Sequence, residues 1–153
     1  MPKRPSEQEP GGVLFAGWQL FLTKRQAITS FEDSVSREFR EIAQRIPVKA
    51  LLGEALSAAE LTEAPDEFYH YIDLSNEQVF LRLNGRVSKA TWRNWADGIS
   101  SLLRRPAFRA AWEEIKAKAP DSFEELRLLE AHEFQADPRT WRRRRPALPK
   151  ATA

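Results

Sequence analysis

Apolar residues recur along the first third of the chain at intervals of seven: Leu14, Phe21, Ile28, Val35 and Ile42, with Trp18, Phe31, Phe39 and Ile46 close to the same face. From Val13 to Ile46 there is no proline and the only glycine is Gly17. The pattern predicts one long helix with an apolar seam, stopped by Pro47. "VKALLGEAL" predicts a short helix or turn that carries Leu51 and Leu52 inward, before a loop reaching Pro65. A second major helix is expected from Asp66 to Asn84, where Phe68, Ile72, Ser75, Val79 and Leu83 share a face and Asn84-Gly85 supplies a left-handed stop. Ser88 is the expected N-cap of a third helix through Trp92, Trp95, Ile99 and Leu102. Pro106 interrupts the chain, and a fourth helix carries Phe108, Ala111, Trp112 and Ile115 as far as Pro120. "DSFE", residues 121–124, predicts a capping box for a last helix through Phe123, Leu126 and Leu129. No stretch alternates with period two. The expected fold class is all-α: a long N-terminal helix packed on a compact bundle of about four shorter helices.

A chain of 153 residues has the size of one domain. Residues 1–12, rich in Pro, Gly and charge, predict a disordered leader; 13–137 form the helical domain; 138–153 form a basic disordered tail. Lys and Arg number 24 against 22 Asp and Glu, and the net charge of +2 is too small to imply nucleic acid by itself. The distribution is uneven: seven acids and no Lys or Arg lie between Lys49 and Arg82, whereas Arg86 to Lys118 holds eight bases against three acids. Helices of opposite charge in one hairpin account for both blocks. Cysteine is absent, which excludes disulfides and thiol nucleophiles and fits a cytoplasmic setting. The apolar run "VLFAGWQLFL", residues 13–22, is about half the ~20 residues that cross a bilayer, and no A-x-A cleavage pattern follows it. Burial against protein, or a peripheral position at the inner membrane, is the expectation.

The stretch "NEQVFLRLNGRVSKATWRNW", residues 76–95, concentrates the chain's polar chemistry. Its expected role is a polar joint of the helical hairpin made by Asn76, Glu77, Gln78 and Arg86: Glu77 meets a base from the next helix (Arg86, Arg93 or Arg105), and Asn76 and Gln78 bond backbone at the turn. A metal reading of His70, Asp73 and Glu77 has helical spacing in its favour but lacks an HExxH or paired ExxH arrangement, so no metal or cofactor is called for. Trp92 and Trp95 continue into Ile99 and Leu102 and read as core. Arg142, Arg143, Arg144 and Arg145 are the expected polyanion-binding residues, for nucleic acid or anionic lipid, with Trp141 beside them suited to a membrane interface. Neither a Gly-rich phosphate loop nor a nucleophile elbow occurs, and the chain reads as a non-enzyme.

The order Asn76-Glu77-Gln78, Gly85-Arg86, Trp92, Trp95, Gly98-Ile99, Arg105-Pro106-Ala107-Phe108 and Trp112, with the upstream run "REFREIAQRIPVKALLGE" at residues 37–54, resembles an uncharacterised family of bacterial helical proteins. The resemblance covers about residues 20–115. It implies an N-terminal membrane helix ahead of a soluble helical domain, and it carries over no catalytic residue. This sequence departs from that pattern where residues 13–22 are too short to span. The function expected is a helical interaction or scaffold module, located near a membrane, that docks a protein partner or a second copy through Leu14, Trp18, Phe21 and Ile28 on its first helix. The alternative is polyanion binding through the arginine tail.

Overall fold

The computed structural model describes residues 10–142. They form seven α-helices and one 3-10 helix: α1 (Pro10–Ala43), α2 (Val48–Leu51), α3 (Ala58–Glu63), α4 (Pro65–Leu83), α5 (Lys89–Leu103), α6 (Pro106–Lys118), α7 (Glu124–Ala131) and the 3-10 helix Pro138–Arg142. No strand occurs among them. The fold is all-α, with a long first helix against a bundle.

The bundle is organised around α4, which packs against α1, α5, α6, α7 and the 3-10 helix. Its apolar arc is wide enough for this: Phe68, Tyr71, Ile72, Leu74, Val79 and Leu81 are all buried, together with the polar Ser75, Gln78 and Arg82. A helix with so little exposed perimeter has to sit inside its neighbours. Edge-to-face rings connect the layers, Phe39 of α1 to Tyr71 at 6.0 Å, and both Tyr71 and Phe68 to Phe108 of α6 at 5.1 Å.

The helix ends follow from local chemistry. α1 stops three residues earlier than its periodicity predicts, because the final turn tightens into Arg45 N–H to Ile42 C=O and Ile46 N–H to Ala43 C=O bonds ahead of Pro47. Pro65 and Pro106 occupy first-turn positions, where the missing N–H costs nothing. Asn84 and Gly85 close α4 as expected: Arg86 N–H bonds the Leu81 carbonyl and Gly85 N–H that of Arg82, with Gly85 at φ +72°. The Arg139 guanidinium lies where a Cβ at Gly85 would go.

The capping box expected at residues 121–124 does not form. Phe123 instead takes a left-handed conformation at φ +60° with no side-chain cap of its own. Its ring packs against Trp112 at 6.1 Å and Tyr69 at 5.6 Å, so burial of the ring decides the backbone there. The far end of α7 closes through Phe134 N–H to Leu129 C=O and Glu133 N–H to Glu130 C=O, the geometry of a glycine cap, with Glu133 at φ +56° in the glycine position. Pro138–Arg142, placed in the tail by sequence, are instead an ordered part of the bundle: Pro138 and Trp141 are buried and the Trp141 ring lies 6.0 Å from His132.

Two stability changes of opposite sign follow. Gly85→Ala should lower the unfolding free energy by about 2 kcal/mol, from left-handed strain and displacement of Arg139. Glu133→Gly should raise it by about 0.5–1 kcal/mol, because glycine meets the same φ without strain. Urea titrations of both variants check the pair.

Candidate functional site

The apolar seam of α1 divides between two environments. In its C-terminal half Val35 and Ile42 are buried, Phe31 and Phe39 pack on the core, and Ile46 beyond the helix joins them. In the N-terminal half Trp18 is 59 % exposed, Leu20 76 %, Phe21 53 % and Leu22 41 %. The Trp18 and Phe21 rings touch each other at 5.9 Å. Ile28 is half-buried and marks the transition. At roughly 1.5 Å per residue, about 30 Å of helix extends before the bundle is reached at Phe31.

The boundary is fixed by a clamp that the sequence reading missed. Glu32 accepts the Ser88 backbone N–H at 2.6 Å through one carboxylate oxygen and the Thr91 hydroxyl at 2.8 Å through the other. Ser88 Oγ in turn accepts from Thr91 N–H at 3.1 Å. The carboxylate therefore sits at the N-terminus of α5, where free N–H groups and the helix dipole favour negative charge. One residue earlier on α1, Phe31 lies beneath the Arg86 guanidinium at 5.0 Å. No local motif announces a contact between residues 56 positions apart.

The polar contacts around the hairpin involve other residues than the ones expected. Glu77 is exposed, lines a groove shared with α1, and forms no salt bridge among the described residues. Arg86 lies on Phe31 rather than on Glu77. Asn76 reaches another element altogether: its Oδ1 accepts the Leu126 backbone N–H at 3.0 Å and so caps α7 from α4. Gln78 is buried and bonds no backbone at the turn. The joint itself is Arg82, buried to 8 % exposure, which donates to Asp137 at 2.8 and 2.7 Å and to the Val87 carbonyl at 2.8 Å. The two parallel bonds to Asp137 are the fork geometry suited to a carboxylate. Arg82 holds the Asp137 carboxyl below the usual carboxylate range, and the Arg139 N–H adds to this.

His70, Asp73 and Glu77 line one shallow groove with Glu38 and Glu41, all exposed, and no three metal-ligating side chains converge among the described residues. Trp92 is buried and Trp95 half-buried. Trp141, read as a membrane-interface residue, is only 4 % exposed and faces the bundle. Arg142 closes the 3-10 helix; Arg143, Arg144 and Arg145 lie outside the described residues, as does the leader up to residue 9. No helix among the described residues is long and apolar enough to cross a membrane.

Comparison of the chain with protein-family models, with curated proteins and with solved structures finds no match.

Two measurements check the clamp and the joint. Glu32→Ala should lower stability by about 1–3 kcal/mol by leaving the Ser88 and Thr91 donors unpaired, with the loss read by chemical denaturation. For Asp137 the folded pKa lies below the unfolded value, so its contribution is fully present above the usual carboxylate range and is lost as pH falls through the folded value. As pH falls below the usual carboxylate range the stability of the native chain should therefore fall further than that of Asp137→Asn, as pH-dependent melting would show.

Proposed function

We propose that this protein is a non-enzymatic helical assembly module in which the uncovered half of α1 pairs with the same segment of a second copy. The reading rests on one observation: Trp18, Phe21 and Leu22 stand exposed on a helix whose seam, one turn beyond Ile28, becomes core. Soluble surfaces seldom leave several large apolar side chains contiguous unless something covers them.

A second copy suits the stretch by its symmetry. Positions 14, 21 and 28 are evenly spaced about Phe21, and Phe21 falls near the middle of the helical segment between Pro10 and the bundle contact at Phe31. In an antiparallel pair with its twofold axis at Phe21, position 14 faces position 28 of the other copy and Phe21 faces itself. Trp18 then faces Lys24 and Arg25, a pairing of indole with cation. Such an interface is isologous and closes at two copies. Leu20, about 200° round the helix from Trp18, stays in solvent as a single exposed leucine. Lipid is the less favoured cover, because the charged leader at residues 3–9 precedes the apolar run and would have to accompany it.

Light scattering on the full chain should give twice 17.6 kDa, and Phe21→Glu should give the single-chain mass with unchanged helical circular dichroism. Because the chain has no cysteine, register is testable directly. Phe21→Cys should oxidise to a covalent dimer much faster than Leu20→Cys. A native chain that stays monomeric at about 100 μM would sink the proposal, and a monomer that pelleted with anionic vesicles would hand the surface to lipid.

A further inference from the structure

Between α1, α4 and α5 lies a small pocket of about 150 Å³, whose eight lining residues include Phe39, Tyr71, Gln78, Trp95, Gly98 and Ile99. It is far from the exposed half of α1 and independent of any pairing there. Two of its polar side chains, Tyr71 and Gln78, are more than nine-tenths buried as residues. The Tyr71 side chain is 2 % exposed and its hydroxyl makes no hydrogen bond of good geometry among the described residues, although the Ser75 hydroxyl lies near enough to ease its upward pKa shift. Gln78 is 5 % exposed overall, and its carboxamide, which enters no hydrogen bond among the described residues, keeps contact with solvent. The nearby Ser75 hydroxyl is already committed, donating to the Tyr71 carbonyl at 2.7 Å. Burial pushes the Tyr71 hydroxyl well above its ordinary range, so it is a neutral donor and acceptor at any physiological pH.

Leaving a buried hydroxyl unpaired costs stability, and native proteins almost always satisfy such a group. Tyr71 and Gln78 border the same space, with aromatic and aliphatic walls from Phe39, Trp95 and Ile99. The eight lining residues include no charged side chain, so a charged guest would lose its hydration without a counter-charge. The volume is that of a cavity known to hold one benzene-sized ring. Gln78 presents a donor and an acceptor side by side, which complement the N–H and C=O of a cis amide, and Tyr71 offers a further hydroxyl.

Gly98 adds a separate observation. It lies in the interior of α5, where glycine costs about 0.5–1 kcal/mol relative to alanine. Nothing lies within 4 Å of where its Cβ would be, so packing does not demand a glycine there. Its missing side chain widens the pocket wall.

We infer that this pocket is a binding site for a small neutral ring compound bearing a cis-amide edge, of the lactam or pyridone kind, with Gln78 pairing the amide edge, Tyr71 adding a hydrogen bond, and Phe39 and Trp95 enclosing the ring. The test is titration of the full ¹⁵N-labelled chain with 2-pyridone, followed at the Gln78 side-chain amide and the Trp95 indole N–H. Toluene and benzoate serve as apolar and charged counterparts. Saturable shifts are expected with a dissociation constant on the order of 1 mM or tighter, and at least tenfold weaker binding of toluene and benzoate. Tyr71→Phe should weaken 2-pyridone binding several-fold. Gly98→Leu should abolish it while leaving the fold intact, which keeps the test sound should a Gln78→Leu variant unfold. Absence of saturable shifts up to about 10 mM 2-pyridone would overturn the site. Equal binding of toluene, or binding unaffected by Gly98→Leu, would overturn it as well.

Discussion

A single buried guanidinium holds together the parts of this chain that helix propensity alone would leave separate. Arg82 leaves the last turn of α4, reaches the Val87 carbonyl across the turn, and closes on Asp137 just before the 3-10 helix. Three segments with no shared hydrophobic periodicity thereby acquire one geometry. A charge this deeply placed is tolerated because the Arg82 Nε, Nη1 and Nη2 all find acceptors, two of them carrying the compensating charge. The closing position of Gly85, with Arg139 stacked above it, depends on the same arrangement. Around it α4 can serve as the central helix, since its C-terminal end is tied to both the element that follows it and the element that ends the bundle.

The first helix shows how one sequence pattern serves two environments. Its apolar spacing does not change at Phe31, yet exposure falls abruptly there because Glu32 meets the N-terminus of α5 and Arg86 covers the Phe31 ring. Before this point the seam, from Trp18 on, has little cover among the described residues; after it the seam is core. The boundary is thus set by polar contacts, while the apolar residues supply the adhesion on both sides of it. The pocket bordered by Tyr71 and Gln78 lies on the covered side, beside Phe39 of the same helix.

How much of this is legible in the sequence varies with the range of the interaction. The helices could be read because Pro47, Pro65, Pro106 and Gly85 punctuate a 3.6-residue pattern that acts over a few positions. Ser88 is legible as an N-cap for the same reason. Glu32 and Arg82 were not legible as structural keys, since their partners lie 56 to 59 and 5 to 55 residues away and a charged residue on a helix normally reads as surface. Asn76 illustrates the error most clearly: its neighbours Glu77 and Gln78 suggested a common role, but at about 100° per residue the three side chains diverge, to α7, to solvent and to the interior. The capping box at 121–124 failed because a local hydrogen-bond rule lost to burial of the Phe123 ring. The burial of the Tyr71 hydroxyl beside a pocket could not be foreseen at all, being a property of three helices at once.

The dependence of α7 on α4 has a consequence for how the chain acquires its shape. Eight residues are too few for a helix to persist alone in water. This one also begins and ends with left-handed non-glycine residues and borrows its N-terminal cap from Asn76. The template therefore has to exist before the segment that uses it. Synthesis supplies the two in that order, because α4 leaves the ribosome well ahead of residues 124–131. The end of the bundle is laid down last, on a surface already prepared for it, and should be the first part to open when the protein is strained.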